Sequence, residues 1–359
     1  GLGSRRLYEV LDLCLECKGC KAECPSGVDL AKLKYEFLAQ YQAVHGTPLR
    51  SRLFGRIDTL SRWGSATAPL SNLVGGLPPV RWLQDRLLGI TARRPLPRFA
   101  RPTFRQRFES RSRRPGDRGP VVIFDDTFMN HNHPEVGIAA VRVLEAAGYE
   151  PMLAAAGCCG RPMLSKGLVE QARARARDNV EALDPWLQSG VPVVGCEPSC
   201  LLMLRGDYRY LIPDDGRLDA LEEGTWMIEE FLLDAARRSG RERLGLSLQP
   251  RPRRILVHGH CHQKAAVGVE PTVELLGWVP GQETVGLDTG CCGMAGSFGF
   301  EAEHYELSMQ IGELALFPAV RAAPEAGVST AGISCRQQVR HGTGREPRHP
   351  VEWLADALE

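Results

Sequence analysis

Twelve cysteines fall into three groups along the 359 residues. Cys14, Cys17, Cys20 and Cys24 read C-x2-C-x2-C-x3-C and are closed by Pro25. Thiolates at that spacing suit a short loop wrapped around a [4Fe–4S] cube, with successive sulfurs reaching successive irons. Zinc sites usually pair two C-x2-C hooks, which is a different rhythm. The second group is Cys158 and Cys159, followed by Gly160, with Cys196 and Cys200 further on. The third is Cys291 and Cys292, followed by Gly293, with Cys261 before and Cys335 after. Neighbouring cysteines make a strained mutual disulfide. A glycine behind them lets the backbone approach a bulky cluster. Inert buried thiols account poorly for one such pair and worse for two equivalent pairs.

Each group suggests a centre. In two-cluster ferredoxins the fourth cysteine of the first run ligates the other cluster. No partner run lies between Pro25 and Cys158, and the chain opens on Gly1 only 13 residues before Cys14. We therefore expect this chain to be the C-terminal part of a longer polypeptide, with Cys24 serving a neighbouring cluster. Cys261, Cys291, Cys292 and Cys335 offer four thiolates, enough for a second [4Fe–4S] cluster or a related form. Cys158, Cys159, Cys196 and Cys200 offer four more, for a third cluster or for zinc. His258, His260 and His262 flank Cys261 in H-G-H-C-H-Q-K. Alternate residues of a strand share a face, so three imidazoles could build a zinc site. The alternatives are hydrogen bonds to cluster sulfurs, or a place for His262 beside an electron acceptor. His131 and His133 fall in the corresponding earlier loop, as ligands or as polar loop residues.

The elements that position these residues repeat. Val121–Phe124, about Met152–Ala155 and Val191–Val194 read as short buried strands. They alternate with helices over Pro134–Ala147 and about Lys166–Leu183. Arg254–Val257 and Val328–Ala331 read as strands of a second set, with helices over about Pro271–Leu276 and Ala302–Leu316. A shift of 133 residues lays Cys158–Cys159–Gly160 on Cys291–Cys292–Gly293 and Val121 on Arg254. This is an internal duplication of an α/β unit. Cys261 falls on Phe128, so the first copy lacks that cysteine, and a gap of six opens before Cys335. The expected fold class is α/β: a small α-helical ferredoxin-type domain followed by a pseudo-twofold pair of duplicated modules. The boundaries are 1–48 for the ferredoxin-like domain, with a helix over about Asp29–Tyr41, and 49–119 for amphipathic helices and a linker. Residues 120–250 form the first cysteine-rich module and 251–359 the second. The stretch from Thr91 to Gly119 carries ten Arg and several Pro with little periodicity, and reads as extended. Nothing aromatic or glycine-rich organises those charges for RNA.

Composition narrows the function. With 44 basic and 43 acidic side chains the net charge is +1, which excludes a nucleic-acid binder driven by bulk charge. At 43% hydrophobic and 24% charged residues, wholesale disorder is excluded. No apolar run approaches the ~18–20 residues of a membrane span, and no secretory signal opens the chain. Twelve cysteines in a long chain patterned by helix and strand point to a reduced, cytoplasmic protein that spends them on metal. A G-x-G-x-x-G after a strand, a P-loop and a G-x-S-x-G are all missing. Clusters without an organic cofactor move electrons singly and take no hydride from a substrate.

These residues resemble a known family. A ferredoxin run followed by two C-C-G modules is similar to the iron–sulfur subunits of glycolate oxidase, anaerobic glycerol-3-phosphate dehydrogenase and L-lactate utilisation systems. It also resembles heterodisulfide reductase, whose C-C-G modules hold noncubane [4Fe–4S] clusters. The narrower resemblance is to the iron–sulfur half of fused FAD-linked oxidases of the D-lactate or D-2-hydroxyglutarate dehydrogenase type. It rests on L-D-L-C-L-E-C-K-G-C-K-A-E-C-P-S-G-V-D-L-A-K-L-K, P-L-R-S-R-L-F-G, R-P-L-P-R-F-A, D-D-T-F, G-C-C-G-R-P and G-C-C-G-M-A-G-S-F-G, and covers nearly the whole chain. The resemblance implies an FAD domain or subunit upstream that oxidises a D-2-hydroxy acid such as D-lactate, glycolate or D-2-hydroxyglutarate. It implies that this chain relays electrons to a quinone, cytochrome or other carrier, with helices of residues 50–90 as a candidate peripheral contact to the cytoplasmic face of a membrane. Two alternatives belong to other classes: a catalytic subunit that cleaves a disulfide, as in heterodisulfide reductase, and a structural zinc protein without redox function. The five-cysteine noncubane pattern has one more cysteine at its start and a C-x2-C ending. Phe128 replaces the first in one copy, and Gln338 stands after Cys335 in the other, so neither copy carries all five.

Overall fold

The computed structural model describes residues 3–240 and 242–358. Three helices, Arg5–Asp12, Gly19–Glu23 and Leu30–His45, carry the first cysteine group. Ser4 and Asp29 cap the first and third by accepting the amide hydrogens of Leu7 and Lys32. The third runs a turn beyond the expected Tyr41 and stops at Gly46. Its Ala31 and Tyr35 enter the core of the first sheet, while Phe37 and Leu38 close on Leu11. Four helices follow, Leu49–Gly55, Ile57–Ala66, Leu70–Gly76 and Pro78–Leu88.

Two parallel sheets form the body. The first contains β1 (Pro120–Ile123), β2 (Glu150–Leu153), β3 (Val193–Gly195) and β4 (Thr225–Met227), in the order β2-β1-β3-β4. The second contains β5 (Arg253–Val257), β6 (Gln282–Gly286) and β7 (Gly327–Ser329), in the order β6-β5-β7. Both are α/β layers whose faces are covered. Val122 and Val193 enter one core cluster, while Val121, Ile123 and Val194 enter the other. That burial on both faces explains the unbroken apolar runs of the sequence. The second cluster also contains Leu275, Val279, Val351 and Leu354, so the two sheets share a core. β4 is only three residues long and β6 is Q-E-T-V-G, largely polar, so neither announced itself as a strand.

The stretch from Thr91 to Gly119 corrects the reading of an extended linker. Arg94 is 2% exposed, and its Nε donates to the carbonyl of Gly299 at 3.0 Å. Thr103 caps a two-turn helix, Phe104–Ser110, with a reciprocal Gln106 bond, and Phe104 and Phe108 are buried. Arg105 grips the Asp125 carboxylate with Nε at 3.0 Å and an Nη at 2.9 Å. Arg94 and Arg105 cover much of their stems while their charges find a carbonyl and a carboxylate. Seven residues of helix are too few to show a period.

Candidate metal centres

The N-terminal loop folds back on itself through two non-glycine residues in the left-handed region, Glu16 (φ 54°) and Lys18 (φ 62°). Three buried contacts hold that shape. Lys34 Nζ donates to the carbonyl of Cys14 at 2.8 Å. Lys18 Nζ lies 2.6 Å from both oxygens of Asp207. His262 Nε2–H donates to the carbonyl of Glu16 at 2.8 Å. Backbone amides point at the sulfurs: Leu30 N–H reaches Cys20 Sγ at 3.4 Å. The amides of Val28, Ser26 and Gly27 draw the Cys24 thiol below its ordinary range, whereas burial pushes Cys14 and Cys17 up.

In the second sheet the four expected cysteines meet. Cys261 opens the helix Cys261–Ala266, the Cys291–Cys292 pair follows β6, and Cys335 lies in the first turn of Ile333–Thr343. Their thiols contact one another in the sequence Cys261, Cys291, Cys292, Cys335. The Cys261 contact holds Cys291 well below the usual thiol range, helped by the Gly293 N–H, 3.3 Å from its sulfur. Gly293 sits at φ +88°, and a Cβ there would meet the carbonyl oxygen of Ser308 at 2.2 Å. No larger residue fits that turn. A ring nitrogen of His258 and the sulfurs of Cys292 and Cys335 all lie within 4.8 Å of one another. The three histidines do not converge: His258 turns to the thiols, His262 to Glu16, and His260 Nδ1 accepts the His262 amide hydrogen at 3.2 Å.

The first sheet gathers three thiols of the expected four. Cys158 contacts Cys159 and the Thr127 hydroxyl, and Cys159 contacts Cys200. All are buried. The Cys159 contact lowers Cys200, but burial prevails and pushes it up to about 12. Neutral thiols of this kind must release protons when they bind metal. Cys196 does not join them. It packs with Val194 and Phe231 in the opposite core cluster, near Glu229 and Asp126. Strand alternation continues past β3 and sends it to the other face.

The three regions meet at one cavity of about 180 Å³. Cys17, Cys261, Cys291, Cys292 and Cys335 line it, and Phe54, Phe128 and Phe300 also face it. Beside it Arg161 donates to the Tyr35 hydroxyl at 2.6 Å and pairs with Asp207. Burial opposes the Asp207 charge, yet Arg161 and Lys18 hold this carboxyl well below its usual range. Asp207 ends a π-helical turn, Met203–Asp207, a distortion frequent at functional sites. Neither Asp207 nor Tyr35 stood out in the sequence. Arg161 did carry a signal, since it follows the C-C-G triplet directly.

Residues 121–205 match the family model of the CCG cysteine-rich domain. The chain is 32% identical over 343 residues to an anaerobic glycerol-3-phosphate dehydrogenase subunit of Escherichia coli K12, covering 93% of this chain and 83% of that protein. It is 25% identical over 381 residues to the D-2-hydroxyglutarate dehydrogenase of the same organism, spanning 99% of this chain but 35% of that one. Lactate utilization protein A 1 of Bacillus mycoides is 32% identical over 187 residues, half of this chain and 72% of that protein.

Proposed function

Because the chain belongs to the family of this anaerobic glycerol-3-phosphate dehydrogenase subunit, a family of oxidoreductase components, we propose that it is an iron–sulfur electron-transfer unit serving a flavin dehydrogenase. The flavoprotein would be a fused domain or a separate subunit, holding FAD and oxidising the alcohol of a small anionic substrate. A D-2-hydroxy acid, such as D-lactate, glycolate or D-2-hydroxyglutarate, fits the sequence motifs. The relatives' names add glycerol 3-phosphate to that class. The observation that carries the proposal is the shared cavity: the N-terminal loop brings Cys17 to the same space as Cys261, Cys291, Cys292 and Cys335.

The residues fit iron–sulfur centres. All twelve thiols are free. Backbone N–H groups reach the sulfurs of Cys20, Cys291 and Cys159. The His258 Nε2 is buried and has no partner. Cys14, Cys17 and Cys20 would hold the ferredoxin-type cluster, with Cys24 turned to a neighbouring one. Cys261, Cys291, Cys292 and Cys335 would hold a second, and Cys158, Cys159 and Cys200 a third centre or zinc. When bound, [4Fe–4S] clusters supply one-electron carriers. The chain's own part is to aim amides at the sulfurs and to lock the N-terminal segment to the first sheet through Lys18, Arg161 and Asp207, and to the second through His262 and Glu16. The common strand order and the matching cysteine pairs favour a duplicated module at 120–250 and 251–359, beside the ferredoxin-like 1–48.

The acceptor side lies elsewhere. Among the described residues no helix is long and apolar enough to cross a membrane. The helices of residues 57–88 nevertheless expose Trp63, Leu70, Leu73, Trp82 and Leu87. Arg52, Arg56, Arg62 and Arg86 are exposed on residues 49–88, while both acids there, Asp58 and Asp85, are partly covered. Aromatic and leucine side chains beside arginines match an anionic lipid surface, where a quinone would be reached. Flotation with anionic vesicles tests this: wild type should co-float, and the Trp63→Glu, Trp82→Glu double variant should not. The central proposal is tested by stopped-flow mixing with the substrate-reduced flavoprotein. Visible absorbance of this chain should bleach and return on adding a quinone analogue. No bleaching by a competent reduced flavoprotein contradicts the proposal.

A further inference from the structure

His258 directly follows β5 and is completely buried. Its amide hydrogen bonds the carbonyl of Ser329 at 2.9 Å, so the backbone is fixed by β7. Its Nδ1 lies 2.7 Å from the Thr289 hydroxyl. Its Nε2 is enclosed by protein and has no hydrogen-bond partner. Buried polar atoms in folded proteins are nearly always paired, so an orphan of this kind requires an explanation. The sulfurs of Cys292 and Cys335, both essentially buried, lie within 4.8 Å of each other and of a His258 ring nitrogen, and the imidazole draws the Cys335 thiol well below its usual range after the larger effect of Cys292.

The scaffold does not demand a histidine here. The 133-residue offset puts Asp125 at the equivalent position of the first sheet, where it is tied to Arg105 instead. Only the second sheet combines the imidazole with the extra cysteine, Cys261. In the tautomer whose Nδ1–H donates to Thr289 Oγ1, Nε2 keeps its lone pair. Metal-bound histidines are oriented in this way by the hydrogen bond of their other nitrogen.

Resting on the reading that these cysteines hold an iron–sulfur centre, we infer that His258 is a ligand of that centre through Nε2, beside Cys292 and Cys335. The second module then holds a mixed imidazole–thiolate centre, unlike the all-thiolate sets of the N-terminal loop and the first sheet. With Cys261 and Cys291 there would be five donors, one more than the four irons of a cube require. A neutral imidazole puts less negative charge on iron than a thiolate and raises the potential.

The test uses the full chain, purified anaerobically with all centres loaded, in natural-abundance form and with ¹⁵N-histidine. The EPR signal of the second centre is identified as the one lost in Cys335→Ser. Pulsed EPR at that signal should show a nitrogen coupling of directly bound size that changes with the label. The coupling should disappear in His258→Cys, which keeps the iron content while the midpoint potential of this centre falls. The isotope comparison on wild type needs no variant, so a folding failure of His258→Cys leaves the test intact. A coupling indifferent to the label, or only the weak one of a hydrogen-bonded nitrogen, overturns the assignment. So does a coupling that survives in His258→Cys. Iron bound by thiolates alone removes this inference and spares the electron-transfer reading. An absence of iron from wild-type Cys261, Cys291, Cys292 and Cys335 removes both.

Discussion

Replacing Asp207 by Asn should strike the point where the N-terminal segment is joined to the first module. The carboxylate is 1% exposed and meets Lys18 Nζ at 2.6 Å on both oxygens. It also pairs with Arg161, which holds Tyr35 of the N-terminal helical segment. One negative charge thus serves two buried cations, and Asn leaves both uncompensated. The attraction alone is about 6 kcal/mol per contact at 2.6 Å and an effective dielectric of 20. Desolvation cancels much of this, but removing one partner of a buried pair still costs about 3–5 kcal/mol. With a urea slope of about 3 kcal/mol per molar, the midpoint should fall by roughly 1–1.7 M. Lys18→Met should cost less, about 1–2 kcal/mol, because Asp207 keeps Arg161. Unfolding would be followed by far-UV circular dichroism and, separately, by the absorbance of the N-terminal cluster, since a chain of this size can lose its parts in sequence. The cluster probe should respond first. An Asp207→Asn midpoint within about 0.2 M of wild type on both probes would refute the reasoning.

Three further outcomes are expected. Gly293→Ala should cost about 3 kcal/mol or more and strip iron from the second centre, because its Cβ meets Ser308 backbone at 2.2 Å. Gly160→Ala, at φ +90° but with its nearest atom 3.4 Å away, should cost only about 1–2 kcal/mol; equal thermal-melt losses would contradict the distinction. Cys196→Ser should keep the metal content of wild type while Cys200→Ser loses it, as read by metal analysis, since only Cys200 joins Cys158 and Cys159. His304 contacts Asp12 at 3.0 Å and Glu301 at 3.2 Å; burial lowers its pKa, but these partners raise it to about 9. The folded value exceeds the ordinary one of about 6.5, so the stabilisation is complete below pH ~6.5 and is lost as pH rises through ~9. The stability gap between wild type and His304→Gln, roughly 1–3 kcal/mol below pH ~6.5 and followed by thermal melts, should close by pH ~9.5. A gap that is constant across that range contradicts this account.

Much of the candidate site was legible because the proposed metal ligands follow spacings that such ligands impose on sequence. The C-x2-C-x2-C-x3-C run, the two C-C-G triplets and their 133-residue offset all survive as placed thiols in the fold. The apolar β1, β3 and β5 were legible because parallel strands are buried on both faces. What spacing could not supply was facing. Cys196 stands four residues from Cys200, yet strand alternation sends it into the opposite core. The long-range partners were equally hidden. Lys18 and Asp207 are 189 positions apart, and nothing local to either announces the pair. The Arg-rich stretch misled because its order is tertiary: Arg94 is held by Gly299 and Arg105 by Asp125, not by any local period.

The central claim is tested most directly by iron and acid-labile sulfide analysis of the anaerobically purified chain, with EPR after dithionite reduction. This account predicts about eight or more irons per chain, matching sulfide, and reduced-cluster signals from more than one centre. Stoichiometric zinc with no iron, even after anaerobic reconstitution with iron and sulfide, would contradict it.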